Sequence, residues 1–523
     1  MRPRATWVAW GLIAFGAAVR VRLFVAGRSF WYDEAALALN LVNRSAVELL
    51  RPLDYRQTAP PLFLWLERLA VLVAGPTEYA LRAVPLLAGV ATLVVSWRVA
   101  RRLLPGDAAL VALALVALSP LLVYYSNELK PYSLDALVSA GLVAMALTVL
   151  DRPDDRRAWR WLALGGAAAP LFSTTAPFAM AGVAACLLLE PRVRATPEVM
   201  RRAAVTSAAW VAAGLVALFV HQDLVGRDSP TGAYMQGFWQ HAFLTTDPPG
   251  LRMRAWAAAF GALKVTFIDG VSRQRELSIL VLAAALGLGR LAHRNRLAIG
   301  ALVAVPFACL GLAAALRLYP FDSRLILFAA PLTALMLGAG VTWPGSVIAA
   351  RMSRPAGVAV TAALACVLLV IPARRAVRAA SVPPGRHEVR PLIRAIDRAR
   401  DADPNAGPVW MTAGVELPWR FYAGDSLSGV EATARVPVAG TTTPLAPGVL
   451  VGDWWHGGDR GLIEAERLRA AANGSCGWFI FAMDNDEERS AVLSAVERLR
   501  GRLAETTERA GAASYRVCFQ TSD

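Results

Sequence analysis

Two adjacent carboxylates, Asp33 and Glu34, interrupt the greasy stretch FWYDEAALALN, residues 30 to 40. Placed beside a hydroxyl, a carboxylate can take its proton. The same pair also fits a plain structural role. AALALNLV has a helical pattern, so Asp33 could be its N-cap and Glu34 a first-turn acid favoured by the helix dipole. A second polar patch, YYSNELKPYSLD (124 to 135), offers Glu128 and Lys130 among Tyr124, Tyr125 and Tyr132. It could handle a phosphate and a hydroxyl, or be an interfacial aromatic belt with a snorkelling lysine. A third, RLYPFDSRLILFAAP (317 to 331), sets Arg317 and Arg324 around Tyr319, Pro320 and Asp322. Arginine holds phosphate oxygens well, and it also anchors helices at interfaces. The fourth, DYRQTAPPLFLWLERL (54 to 69), contributes Arg56 and Gln57 ahead of the stiff Pro60–Pro61 pair. Together these patches suit a phosphate leaving group and an acceptor hydroxyl, with a carboxylate taking the proton and cations stabilising the departing charge.

The elements between the patches are apolar. Of 523 residues 56% are hydrophobic and 18% charged, against roughly 25% charged in soluble domains. Mean hydropathy is +0.44. Apolar runs start at about Trp7 and recur near 80–98, 107–124, 133–150, 159–173, 176–190, 203–221, 277–290, 297–315, 324–343 and 356–373. That pattern predicts about eleven transmembrane helices, with Arg324 opening the tenth from its outer end. Arg2 and Arg4 place the N-terminus in the cytoplasm, so all four patches fall on the outer side and the C-terminus lies outside. Arg20 and Arg22, at the outer end of the first run, and Arg374, Arg375 and Arg378 depart from this charge rule. Residues 62–75 are too short to span and carry Glu67 and Arg68 centrally, which predicts an interfacial or re-entrant helix. The long outer loop of about 222 to 276 holds Tyr234, Phe238, Trp239 and an amphipathic run near 252–268.

Near residue 385 the texture changes, dividing a membrane domain (1–380) from a soluble α/β domain (385–523). HEVRPLIRAIDRARDA and SAVERLRGRLAETTERA read as helices; GPVWMTAG, GWFIFAM and SYRVCFQ read as strands. Cys476 and Cys518 could pair if this domain is outside. No CxxC, Cys/His metal spacing, GxGxxG or Walker motif occurs. The net charge of +15 lies mostly between apolar runs, as topology-setting arginine rather than a nucleic-acid footprint. Lys130 and Lys264 are the only lysines.

FWYDEAALALN, QTAPPLFLW, YYSNELKPYSLDAL and YPFDSRLILFAAP resemble the bacterial GT-C glycosyltransferases, family 39-like, over roughly residues 7 to 345. That grouping is related to protein O-mannosyltransferases and lipid A aminoarabinose transferases. The resemblance implies a polyprenyl-phosphate sugar donor, inversion at the sugar carbon and a multi-pass home in the bacterial inner membrane. Asp33 would then be the general base, with Glu34 beside it in the catalytic pair. Lys130, Arg324 and Arg317 would hold the donor phosphate. Glu128, Tyr132, Gln57 and Tyr319 would position acceptor or substrate. No tightly bound cofactor is implied; if a divalent cation is used, Asp33, Glu34 and Glu128 are its ligands. The acceptor, whether glycan, lipid or protein, does not transfer. Phe30, Trp31 and Tyr32 should partly desolvate Asp33 and raise its pKa. Two other readings compete. A phospholipid-headgroup transferase would need a nucleophilic or His-rich centre, and the five histidines are scattered. A transporter or export component would carry polar groups mid-bilayer, often in repeats, whereas these cluster at the ends of runs.

Overall fold

The computed structural model describes residues 3–225, 230–244, 274–294, 296–383, 385–403, 406–423, 448–452, 460–483 and 486–519. The amphipathic run expected near 252–268 lies outside them. The membrane domain is helical: α1 (Pro3–Val25), α2 (Tyr32–Asn43), α3 (Pro61–Ala74), α4 (Ala80–Leu103), α5 (Gly106–Leu118), α6 (Pro120–Tyr125), α7 (Tyr132–Asp151), α8 (Arg156–Phe172), α9 (Ala176–Leu189), α10 (Pro191–Arg194), α11 (Pro197–Val225), α12 (Pro230–Phe238), α13 (Gln274–Arg294), α14 (Arg296–Ala315), α15 (Ala330–Arg351) and α16 (Arg354–Ser381). Among the described residues, six helices are long and apolar enough to cross a membrane: Ala5–Val25, Ala80–Leu103, Tyr132–Asp151, Leu297–Ala315, Leu327–Arg351 and Arg354–Ser381. Three shorter apolar helices accompany them, so the expected count of eleven is not reproduced by length and composition.

Small residues let these helices approach. A Cβ on Gly287 of α13 would meet the carbonyl oxygen of Met336 at 1.8 Å, and one on Gly340 of α15 would meet that of Ala283 at 1.8 Å. Reciprocal glycines therefore bring the two backbones into contact, a packing mode suited to a lipid solvent. Arg20, which broke the charge rule, is an internal cap. Its guanidinium is buried and donates to the carbonyls of Val116 (3.2 Å) and Ala117 (3.1 Å) at the end of α5, the first of which loses its helical donor to Pro120. The non-spanning α3 matches the expected segment. It turns Phe63, Leu64, Glu67 and Val71 inward and leaves Trp65, Leu69, Leu72 and Val73 exposed, while Arg68 caps the α2 carbonyls of Leu41 and Val42.

The C-terminal domain is a three-layer α/β unit. Its helices are α17 (Arg390–Ala402), α18 (Ala413–Tyr422), α19 (Arg460–Ala472) and α20 (Asp486–Arg498); its strands are β1 (Val409–Met411), β2 (Val449–Val451), β3 (Cys476–Ala482), β4 (Gly501–Arg509) and β5 (Ala512–Phe519). The sheet order is β2-β1-β3-β5-β4, parallel on the β1 side and antiparallel on the β5 side. Alternation along β3 sends Trp478 and Ile480 to a core with α17 and α18, and Phe479 and Phe481 to a core with α19 and α20. Cys476 and Cys518 face each other across β3 and β5 and are joined as a disulfide. The helix read over SAVERLRGRLAETTERA is half strand. It ends at Arg498, and Arg500 turns at φ 54° into β4. An edge strand exposed on both faces has no apolar alternation to announce it.

Candidate active site

The segment between α1 and α2 and the start of α2 bring the first patch to the centre of the site. Trp31 is the N-cap position of α2 and no side chain caps it, so Asp33 lies inside the first turn rather than at the cap. Its carboxylate faces two cations, Lys130 Nζ at 3.6 Å and Arg324 Nη1 at 3.8 Å. Lys130 donates to Gln57 Oε1 at 2.8 Å, and the Gln57 side chain also hydrogen-bonds Asp33. Gln57 follows Tyr55 and Arg56, two non-glycine residues with φ of 60° and 54°. Arg324 lies over the Trp239 ring, 4.9 Å from its centroid, and electrostatically faces Tyr132 and Tyr125. Tyr125 and Tyr132 pack edge to face at 4.9 Å.

All four patches thus contribute. Asp33, Gln57, Lys130, Tyr132 and Arg324 gather at one end of the bundle, on separate elements. The ion pairs are loose and only partly shielded: Asp33 keeps 27% of its side chain exposed, so its oxygens remain reachable. Arg324 does not open a transmembrane helix. It sits in a turn before a 3-10 segment, Leu327–Ala329, and α15. Tyr319 supports that turn, donating to the Leu325 carbonyl at 3.2 Å and packing on Phe178. Arg317 is exposed past the end of α14, at φ 55°, and is not a partner of Asp33.

Glu34 points the other way. It is 2% exposed and forked by Arg82, whose Nε donates to Oε1 at 2.8 Å and whose Nη2 meets Oε2. The Leu129 N–H also donates to Oε1, at 2.8 Å. Glu128 is buried behind the same wall, accepting from Trp31 Nε1 at 3.2 Å. Burial, then the nearby Glu34 charge, push its carboxyl up, against the pull of Arg386. The expected cation ligands Asp33, Glu34 and Glu128 do not form one cluster: Glu34 is committed to Arg82, Asp33 faces two cations, and Glu128 accepts from Trp31 through Oε1 while its buried Oε2 has no hydrogen-bond partner among the described residues. These residues do not fit a divalent cation, and no cluster of three or more His, Cys, Asp or Glu suited to one occurs among the described residues.

The expected rise in the Asp33 pKa is overturned. Burial does push it up, but Lys130 and Arg324, with hydrogen bonds from Gln57 and Lys130, hold it below the usual carboxylate value. Phe30 packs on Phe421 and lies under Arg82, and Trp31 carries Arg386 over its ring at 3.7 Å. Sequence reasoning passed over Arg82, although a buried arginine opening an apolar helix is itself a signal. It also passed over Glu78, Arg386, Glu388, Arg390 and Tyr422, which sit in ordinary polar surroundings in the sequence.

Residues 58–222 match the family described as dolichyl-phosphate-mannose-protein mannosyltransferase. That match spans under a third of the chain. The GT-C architecture recurs in solved structures at low identity. ArnT from Cupriavidus metallidurans bound to undecaprenyl phosphate is 12% identical with a TM-score of 0.50, over 96% of this chain and 97% of that one. The oligosaccharyltransferase AglB from Archaeoglobus fulgidus, in complex with an inhibitory peptide and a dolichol-phosphate, is 12% identical with a TM-score of 0.52, over 98% of this chain and 74% of that one. The Archaeoglobus fulgidus enzyme tethered with an acceptor peptide is 11% identical with a TM-score of 0.49, over 79% of this chain and 63% of that one, so the chain spans less than two thirds of its length. A comparison of the sequence with curated proteins found no match.

Proposed function

We propose that this chain is a GT-C glycosyltransferase that moves a sugar from a polyprenyl-phosphate donor to an acceptor hydroxyl at the extracytoplasmic face of a bacterial inner membrane. The observation that carries the reading is the convergence of one reachable carboxylate, Asp33, with Lys130, Arg324 and Gln57 from three other elements. Lys130 and Arg324 bind the donor phosphate and stabilise the charge that grows on it as the sugar leaves. Asp33 receives the proton of the acceptor hydroxyl as that oxygen attacks the sugar carbon from the opposite side, inverting it. The two cations keep Asp33 ionised, so the base is ready over the whole neutral range. Phosphate drawn toward the same cations lowers their grip on Asp33 and raises its basicity once donor is bound. Tyr132, beside Arg324, borders the phosphate position, and Gln57 keeps Lys130 aligned. The lipids bound in two of the similar structures, undecaprenyl phosphate and dolichol-phosphate, are consistent with a lipid-phosphate donor here.

The test is donor consumption. Purified full-length protein is given a panel of polyprenyl-phosphate sugars, as wild type and as Asp33→Asn, with and without divalent cation. One donor consumed by wild type and spared by the variant supports the reading and names the sugar. Equal consumption by both removes Asp33 from the chemistry, and failure to bind any of the lipids removes the donor class.

A further inference from the structure

The irregular segment from Gly27 to Trp31 links the first span to the helix that carries Asp33. Having no secondary structure, it must find partners for its backbone polar groups elsewhere. One set comes from the membrane domain: Arg82 donates to the carbonyls of Arg28 (2.6 Å) and Ser29 (3.2 Å). The other set comes from the C-terminal domain. Arg390 Nη2 donates to the Gly27 carbonyl at 2.8 Å. Glu388 Oε2 accepts from the Ser29 N–H at 3.1 Å and from its hydroxyl at 2.9 Å. The Tyr422 hydroxyl accepts from the Phe30 N–H at 2.6 Å and donates to Glu78, which is also paired with Arg390. Apolar contact follows the same line, since Phe30, Leu37 and Leu41 share a core with Leu417, Phe421 and Tyr422 of α18.

We infer that the C-terminal domain is a working part of the active site, with Tyr422, Glu388 and Arg390 acting as positioning residues for Asp33. The inference rests on the reading of Asp33 as the proton acceptor. The argument is one of constraint. Asp33 lies two residues past Trp31 in the first turn of α2, and its loose contacts at 3.6 and 3.8 Å do not fix the carboxylate by themselves. Its position follows from where α2 starts, and three C-terminal side chains hold the segment that sets this start. Membrane-domain groups hold the other side: Arg82 on the Arg28 and Ser29 carbonyls, Glu128 on the Trp31 indole, and the Asn127 carbonyl on the Arg28 guanidinium. Releasing the C-terminal contacts frees the backbone of 27–31 without touching Lys130, Arg324 or Gln57. The affected quantity is therefore the geometry of proton transfer, not phosphate binding.

The test uses the full-length chain in lipid nanodiscs. Tyr422→Phe keeps the ring and removes only the hydroxyl; Glu388→Ala is a second, independent release. Tyr515→Phe, which removes a hydroxyl inside the sheet domain far from the segment, is the control. Amide exchange of the 27–34 peptide should quicken about tenfold in both release variants, the scale of one hydrogen bond, and stay at the wild-type rate in the control. With the donor that wild type consumes, kcat should fall about tenfold while the donor KM holds, again the scale of one hydrogen bond. Unchanged exchange in the release variants overturns the clamp. Faster exchange with unchanged kcat overturns its role in positioning. If wild type consumes no donor, the proposed function fails on its own account, and the exchange measurement, made without donor, still decides whether the C-terminal domain holds the segment.

Discussion

Asp33 and Glu34 are chain neighbours on one helical turn, yet they occupy different media. Asp33 keeps 27% of its side chain exposed and faces two cations at distances that leave its oxygens accessible. Glu34 is sealed, forked by Arg82 and bonded by a backbone N–H. The difference teaches how a two-residue motif divides its labour: one acid is free to react because its neighbour ties the turn to the protein. A carboxylate whose lone pairs are all committed cannot receive a proton from a substrate, whatever its place in a motif.

That comparison can be broken in four ways. The largest effect is expected on catalysis: Asp33→Asn should slow donor consumption by roughly 10²–10⁴-fold, with a melting temperature in detergent close to that of wild type. A variant that instead unfolds would return Asp33 to a structural part. Next comes the sealed partner. Glu34→Gln leaves Arg82 buried without its counter-charge, and should cost about 3–5 kcal/mol of stability, seen as a large drop in melting temperature. If Glu34→Gln stays folded and loses only activity, the division of labour drawn here is wrong.

Lys130→Gln sharpens the comparison through pH. The pKa of Asp33 is depressed in the folded protein, so stability from its ionised form is present above the ordinary carboxylate value of about 3.9 and lost as pH falls through the lower folded value. The acid limb of the rate profile should lie below that ordinary value in wild type. Without Lys130, burial is opposed by Arg324 and Gln57 alone, and the limb should move to higher pH. A limb that stays put means Arg324 alone sets the site. Donor affinity should also weaken by about 1.5–3 kcal/mol, the scale of a hydrogen bond to a charged group. The smallest effect is assigned to Arg317→Gln. Exposed and outside the Asp33 cluster, it should change stability and donor KM by no more than about 0.5 kcal/mol; a large loss would bring the 317 turn back into the phosphate site.

The sequence made some of this legible for identifiable reasons. Long apolar runs announce spans because lipid forbids unsatisfied backbone, and α4, α7, α14 and α16 lie close to where those runs predict. The four polar patches stood out because polar groups at the ends of apolar runs need a purpose. Which acid faces outward could not be read, since one helical step of about 100° separates Asp33 from Glu34 and only packing decides where each points. The depressed pKa was hidden because the groups that outweigh burial, Lys130, Arg324 and Gln57, come from patches distant in sequence. The edge strand β4 lacked alternation, and the disulfide across β3 and β5 depended on a register that spacing alone does not give.

The contacts that hold the 27–31 segment have a consequence in time. Ser29 and Glu388 lie 359 residues apart, and Phe30 and Tyr422 lie 392 apart. At roughly 5–20 residues per second of synthesis, the residues that contact this segment reach it on the order of 20–80 s after the segment has been made. During that interval the nascent chain holds Asp33, Lys130 and Gln57 in the membrane with half of the linking segment unsecured. If the C-terminal domain seats Asp33 as inferred, the site is finished from the last quarter of the chain backwards, and a chain truncated before α17 is expected to be inserted but idle.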